Sequence, residues 1–455
     1  MENRQVSATS PKGQRDSLHG WGGTSPSVGT LLSPTTPDEV ANALKSAGPR
    51  GVVARGLGRS YGDAAQNGGG EVLRLPSQMQ LGQDGILTAD AGASLDDMMR
   101  LGLPRGWFVP VTPGTRYVTL GGAIAADIHG KNHHVAGTFS QHVESIDLLI
   151  PDGTVRVLTQ NDPLFWATAG GMGLTGIILS ARVRMYPVET SWMRVDTERA
   201  NDLDDLMAKL TSRDEDFRYS VAWFDCAAKG SKLGRAVITR GDHARLSDLP
   251  ESKRTKAQAF APKTLLKAPP YVPNGLLNPF TVGLFNEFWY RKAPVLKEGQ
   301  LQRISTFFHP LDGVEGWNRI YGSQGFLQYQ FVVPFGAEET MRSIVEHLSA
   351  LGVPSFLAVL KRFGAGNSGL LSFPSAGWTL ALDIPTAVPG LAALLDRLDD
   401  EVVSVGGRIY LAKDSRLRPS LLGEMYPRLA EFRAIRAELD PDRIIQSDLA
   451  RRLGL

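Results

Sequence analysis

Residues Thr112 to His134 read TPGTRYVTLGGAIAADIHGKNHH. A Thr112-Pro113-Gly114 turn leads to the pair Gly121-Gly122, to the small run Ala123 to Ala126, and then to His129, Lys131, His133 and His134. Glycine and alanine remove side-chain bulk, so a ligand can lie directly on the backbone; successive free N–H groups in such turns form anion-binding nests. A histidine and a lysine follow at once, where a reacting group could meet them. The stretch predicts the seat of a diphosphate-bearing cofactor with the rest of the chain wrapped around it.

Upstream, Thr36-Pro37-Asp38-Glu39 reads as a capping box with proline at the first helical position, and Val40, Ala41, Leu44 and Ala47 form an apolar helical stripe. Val52 to Ala54 reads as a short strand that delivers the chain into a second glycine-rich loop, Arg55-Gly56-Leu57-Gly58-Arg59-Ser60-Tyr61-Gly62-Asp63. Arg55 and Arg59 flank backbone that a ligand can approach closely, as a phosphate cradle requires. Ile86 to Ala91 reads as another strand, and Ser94 caps a helix with Asp96 and Asp97 in its first turn. Downstream come a hairpin (Ile146 to Ile150, then Val155 to Leu158), a helix from Asp162-Pro163 to the glycine run 170–176, and a strand from Ile177 to Met185. Strands alternating with helices predict an α+β or α/β domain.

Beyond about residue 190 long strand-like segments dominate: 217–226, 235–240, 325–335, 356–363 and 378–384, with helical runs at 337–351 and 389–403. This predicts a largely antiparallel sheet with helices on one side. Alternation puts Gln328 with Gln330, Lys361 with Phe363, and Thr379 with Ala381 and Asp383 on common faces. Such a face is either solvated or a pocket wall. Residues 255–294 mix lysines and prolines with Leu276, Leu277, Phe280, Leu284, Phe285, Phe288, Trp289 and Tyr290. That segment is either a packed loop and helix or a lid whose apolar surface meets a lipid chain or bilayer. Near the end, Arg408 to Arg416 reads as a strand emerging at Lys413, followed by a helix from Pro427 to Leu439.

Composition bounds these readings. The chain has 455 residues, 42% hydrophobic and 21% charged, as expected of a soluble globular protein. A net charge of +2 gives no electrostatic case for nucleic acid. A single cysteine, Cys226, excludes an internal disulfide. No apolar run approaches the roughly 18 residues of a membrane span, and the polar N-terminus lacks a secretory signal. The first twenty or so residues are expected to be a disordered tail, and a cytoplasmic chain is the reading from residues alone.

Four segments together resemble the flavoprotein oxidases of the vanillyl-alcohol oxidase type: RGLGRSYGD, TPGT…LGGAIAADIHG, IDLLIPDGTV and ATAGGMGLTGII. Within that superfamily IHGKNHHVAGTF, GFLQYQFVVP, YLAKDSRL and DLARRL are similar to an actinobacterial branch whose members oxidise a polyprenyl-phosphate ribose. The likeness runs from about Gly20 to the end. It implies an α+β, two-domain, PCMH-type FAD-binding fold with an antiparallel-sheet substrate domain. The FAD domain would comprise residues 1–190 and 405–455, and the substrate domain 191–404. FAD contacts would come from Ala54, Arg55, Gly56, Leu57, Gly58, Arg59, Ser60, Tyr61, Gly62, Asp63 and Ala64. Others would be Gly114, Thr119, Leu120, Gly121, Gly122, Ala126, Asp127, Ile128, His129, Ile178 and Tyr410. Relatives with covalent flavin use a histidine in the first glycine loop; residues 58–61 hold none, so FAD is expected to be non-covalent.

The resemblance further implies oxidation of the 2'-hydroxyl of the lipid-linked ribose to a keto sugar, with hydride passing to the flavin. This is the first half of an epimerisation to the arabinose lipid used in cell-wall arabinan. Lys413 is the candidate catalytic residue beside His129. A free lysine has a pKa near ~10.4, so a base role requires burial or neighbouring cations, for which Lys131, Lys361 and His129 are candidates. Otherwise Lys413 stays charged and stabilises the reduced flavin. Tyr61, Lys131, Trp223, Gln328, Gln330, Lys361, Phe363, Thr379 and Ala381 are implied to line the substrate pocket. Lysines suit a phosphate and amides suit ribose hydroxyls. Many relatives carry cysteine where this chain has Ala381, so thiol-trapping inhibitors should form no adduct here. No metal is expected. Implied partners are a companion NADH-dependent short-chain reductase, a quinone or oxygen as electron acceptor, and peripheral contact with the inner membrane on its periplasmic side. The rival reading is an FAD-dependent oxidase of a soluble polyol or aldonolactone, which has no use for the apolar 255–294 segment.

Overall fold

The computed structural model describes residues 13–455. Three sheets carry the architecture, and the mixed helices and antiparallel strands match the expected α+β class. The first is four-stranded, ordered Gln14–Leu18, Ser27–Leu32, Glu71–Leu73, Val52–Ala54. Its outer strand pairs antiparallel with Ser27–Leu32, from Gln14 opposite Leu31 to Leu18 opposite Ser27. The expected tail of about twenty residues is therefore corrected from Gln14 onward; residues 1–12 lie outside the described part. Leu18 is buried, which is what holds an otherwise polar strand in place.

Helix Pro37–Lys45 starts as predicted, with the Thr36 side chain accepting from the Glu39 N–H. The box is incomplete, because Glu39 accepts from the Thr35 N–H and hydroxyl rather than from Thr36. The second sheet is antiparallel, ordered Met79–Leu81, Ile86–Asp90, Ile177–Arg184, Val143–Leu149, Val155–Thr159. It packs its apolar side on helices Leu95–Gly102 and Leu120–Ala125.

The third sheet has eight strands, all antiparallel, ordered Leu296–Arg303, Trp192–Ala200, Ala236–His243, Tyr219–Phe224, Ala358–Phe363, Gly377–Pro385, Phe326–Pro334, Arg408–Ile409. Helices Leu203–Arg213, Glu338–Leu351 and Leu391–Ser404 bury Leu206, Leu210, Met341, Ile344, Leu395 and Leu398 against one face. That face is built from Ala222, Phe224, Ile238, Leu360, Leu380, Leu382 and Phe331, the alternate residues of each strand. The opposite face is left for something else.

Two of these strands were not read in the sequence. Leu296–Arg303 (LKEGQLQR) is mostly exposed and polar, and Trp192–Ala200 is charged at alternate positions. Leu296–Arg303 is a strand by its edge position, and Trp192–Ala200 by pairing on both sides, with Leu296–Arg303 and Ala236–His243, rather than by propensity. The expected strand at 408–416 shrinks to Arg408–Ile409, because the Lys413 and Asp414 N–H groups fold back onto the Tyr410 carbonyl. No helix of the described residues is long and apolar enough to cross a membrane.

Candidate active site

A cavity of about 960 Å³ lies between the two glycine-rich loops and the uncovered face of the eight-stranded sheet. Sheet alternation supplies one wall: Thr197, Val221, Trp223, Val237, Thr239, Gln328, Gln330, Val359, Lys361 and Ala381 all border it. The open alternative of the sequence reading is thereby decided: this face is a pocket wall, not a solvated surface.

The other wall is backbone. A Cβ on Gly114 or Gly173 would meet nothing within 4 Å, and one on Gly122 only the Thr119 hydroxyl at 3.1 Å. Those glycines face open space. Gly58 sits at φ +65°, in the left-handed region, which turns the loop over itself. The 112–115 turn is pinned from beneath by a buried ion-pair chain. Asp312 accepts from the Thr115 hydroxyl at 2.7 Å and the Arg116 N–H at 2.9 Å, and Arg116 reaches Asp96 at 2.6 Å. Thr112 and buried His309 are 2.8 Å apart.

Of the residues implied to contact FAD, Ala54 through Tyr61, Ala64, Gly114, Thr119, Gly121, Gly122, Ala126, Ile128, His129, Ile178 and Tyr410 border the cavity. Gly62, Asp63, Leu120 and Asp127 do not. Gly62 is packed against the Asp414 backbone, where a Cβ would lie 2.0 Å from a carbonyl oxygen. Asp63 pairs with Arg452 at 2.8 Å, and Leu120 belongs to the core. Buried Asp127 accepts from the Ser140 N–H, Asn367 and Ser372, bracing the loop from behind. Arg55 also departs from a phosphate-cradle role: its guanidinium donates to the carbonyls of Ala65 (2.9 Å) and His19 (2.8 Å). Arg59 stacks 3.8 Å from the Trp21 ring centroid with a buried Nε unpartnered.

Among the implied substrate residues, Tyr61, Lys131, Trp223, Gln328, Gln330, Lys361 and Ala381 border the cavity. Phe363 and Thr379 share that sheet face but are covered. The His129 and Phe373 rings pack on Phe363, at 4.8 and 5.9 Å, and Gln330 lies over the Thr379 hydroxyl at 3.4 Å. Cys226, the sole cysteine, is buried outside the cavity, and burial pushes its thiol up to about 12.

Lys413 reaches the cavity from the tail. The Tyr61 N–H donates to the Ala412 carbonyl at 3.0 Å, and Nζ of Lys413 sits 4.1 Å from the Tyr61 ring centroid. Burial lowers its pKa to about 8; Asp383 opposes this and Lys361 adds to it. Burial also brings Lys361 to about 8, and burial with the Lys361 charge brings Lys131 to about 7. Lys131 donates to the Phe307 carbonyl, which leaves its remaining protons for a ligand.

His129 is not one of the cations. Burial first, then Lys361, His133 and Lys413, hold its imidazole well below the ordinary value, so it is neutral. The Gln330 amide donates to Nε2 at 3.0 Å, which assigns the ring proton to Nδ1, an atom with no partner. Asp383 was not singled out as a site residue, although its alternation with Ala381 signals the right face. It is wholly buried, accepts from the Gln328 amide, and has its second oxygen unpartnered. Burial raises its carboxyl to about 7. Met172, Gly173 and Gly176 also line the cavity; they sit in the glycine run that was read as a helix end and as part of the flavoprotein resemblance, but none of the three was named as a contact.

These features fit FAD. Bulk-free backbone lines one half of the cavity, two residues that border it carry buried side-chain nitrogens with no partner (His129 Nδ1, Arg59 Nε), and the volume suits a dinucleotide with room for a substrate.

Residues 29–159 match the FAD binding domain family. The chain is 47% identical over 449 residues to the decaprenylphosphoryl-β-D-ribose oxidase of Mycolicibacterium smegmatis, covering 96% of this chain and 97% of that one. It is 43% identical over 371 residues to an uncharacterised protein of Streptomyces coelicolor, covering 80% of this chain and all of the relative. Cytokinin dehydrogenase 3 of rice is 31% identical over 191 residues, 37% of this chain and 35% of the enzyme.

Proposed function

Because this chain belongs to the FAD-dependent decaprenylphosphoryl-β-D-ribose oxidase family, we propose that it oxidises the 2'-hydroxyl of decaprenylphosphoryl-β-D-ribose to the 2'-keto sugar. The observation that carries this reading is the junction of the two cavity walls. There Lys413, Tyr61 and the Gln330-bound His129 meet, with Lys131 and Lys361 further along the same wall.

FAD, when bound, supplies the hydride acceptor; the chain's own residues manage position, charge and the proton. Neutral Lys413 takes the proton of the 2'-hydroxyl at Nζ. A pKa of about 8 leaves a usable neutral fraction near pH 7, and about 10.4 would not. His129 donates from Nδ1 to a sugar oxygen and, being neutral, cannot compete for that proton. The Gln328 and Gln330 amides address the remaining hydroxyls. Lys131 and Lys361 hold the phosphate, and an anion there restores their charged forms. Val221, Val237 and Val359 line the sheet wall, an apolar path suited to the first prenyl units and to excluding water.

The keto product is unchanged in carbon count and needs a reducing partner to reach the arabinose epimer. A companion NADH-dependent short-chain reductase fits that need, and a quinone or oxygen fits the reoxidation. We place the reaction at the periplasmic face of the inner membrane. The test is turnover with a polyprenylphosphoryl ribose against xylitol, each followed by mass spectrometry of the product. Loss of two hydrogens from the ribose lipid alone is expected; turnover of xylitol alone would replace this reading with the soluble-polyol one.

A further inference from the structure

Helix Pro279–Lys292 divides its surface three ways. One stripe, Val282, Asn286 and Tyr290, anchors it. Val282 and Asn286 are buried, Asn286 donates to Asp225 at 2.7 Å, and the Tyr290 hydroxyl donates to the Ala200 carbonyl. A second stripe, Phe285, Trp289 and Lys292, borders the mouth of the cavity. The third, Phe280, Leu284 and Phe288, is 79%, 65% and 61% exposed and touches nothing that would bury it. Leu265, Leu266 and Tyr271, in the loop before the helix, are 76%, 67% and 74% exposed. Exposed apolar side chains of this size, concentrated in one segment, mark a binding surface.

Charge identifies the partner. From Thr255 to Lys297 the chain carries six lysines and arginines against one carboxylate, Glu287, in a protein whose overall balance is only +2. Glu287 is itself occupied by Arg235 and Arg291. A helix with a large-apolar outer stripe, cations at its end and no outward carboxylate suits the interface of an anionic bilayer. Continuity supports the same partner. The apolar stripe runs directly into the cavity rim, so a prenyl chain can pass from the acyl region into the pocket without crossing water.

We propose that helix Pro279–Lys292, with the 265–271 loop, docks this protein on anionic lipid so that the cavity mouth opens onto the membrane surface. The inference rests on the lipid-linked substrate proposed above, yet its test is read independently of catalysis. The FAD-bound protein is sedimented with vesicles of phosphatidylglycerol and phosphatidylethanolamine in equal parts, and with phosphatidylcholine alone. Binding to the anionic vesicles is expected, weakened by salt. The triple variant Phe280→Glu, Leu284→Glu, Phe288→Glu should bind at least tenfold more weakly. It should retain its flavin absorbance and its turnover of a farnesylphosphoryl ribose dispersed in detergent, and lose turnover of the long-chain lipid held in vesicles. Failure of the wild type to bind either vesicle, or equal binding by the variant, overturns the proposal. So does an apolar stripe that mediates only self-association or reductase binding in the same sedimentation. Vesicle binding without flavin reduction by the ribose lipid would leave the docking intact and refute the substrate instead.

Discussion

Lys413 is set among groups that titrate close together, which makes its role measurable. Removing it should abolish reduction of the flavin while leaving FAD bound: the Lys413→Ala protein stays yellow and is not bleached by substrate. In the wild type the rate of flavin reduction should rise with pH through about 8, because the neutral amine is the active form. The sign at Asp383 is a second check. Its carboxylate favours the charged amine, so Asp383→Asn should lower the Lys413 pKa further and move that rise to lower pH. A rate that falls rather than rises through this pH range would show that the charged form does the work. At position 381 the cavity wall carries alanine and no thiol borders the pocket. Intact-protein mass spectrometry should therefore find no adduct after a thiol-trapping inhibitor of the family; an adduct would place Cys226 within reach and contradict its burial.

The glycine-walled half of the cavity is a matter of elements closing on one another. Gly121 starts helix Leu120–Ala125 against the strand end at Ala91, and a Cβ there would lie 2.9 Å from the Ala91 Cβ. Gly121→Ala should cost about 1–3 kcal/mol by overpacking, read as a lower Tm, and should weaken FAD retention on gel filtration. At this scale much was legible beforehand. Strands of the large sheet announce themselves by alternation: Gln328 and Gln330, or Val359 and Lys361, must share a face once the strand is granted. Which of those residues surface in the cavity was not legible, since Phe363 and Thr379 obey the same parity and are covered by His129 and Gln330. Nor was the state of His129, whose neutrality depends on burial and on lysines distant in sequence. Lys413 looked like the end of a strand, and only the turn bonded to Tyr410 shows how it is aimed.

Across the whole molecule the two ends of the chain hold the cavity shut. Arg452, three residues from the C-terminus, bridges Asp63 of the first glycine loop and Asp414 beside the catalytic lysine, at 2.8 Å each. Beside it, the Val52 N–H donates to the Ile444 carbonyl at 2.8 Å and the Gln446 N–H donates to the Val52 carbonyl at 2.9 Å. Arg452 is a quarter exposed, so Arg452→Ala should cost less than the roughly 3 kcal/mol lower figure for a fully buried pair. Its larger effect should be on FAD affinity, because it releases both walls at once. No pattern in the sequence reveals that clamp; DLARRL enters the sequence reading only as part of the resemblance. The measurement that bears most directly on this arrangement is anaerobic stopped-flow mixing of the FAD-bound protein with decaprenylphosphoryl ribose, followed at the flavin absorbance. Rapid, complete bleaching in the wild type and none in Lys413→Ala is the predicted result; equal bleaching in both proteins, or none in either, would contradict it.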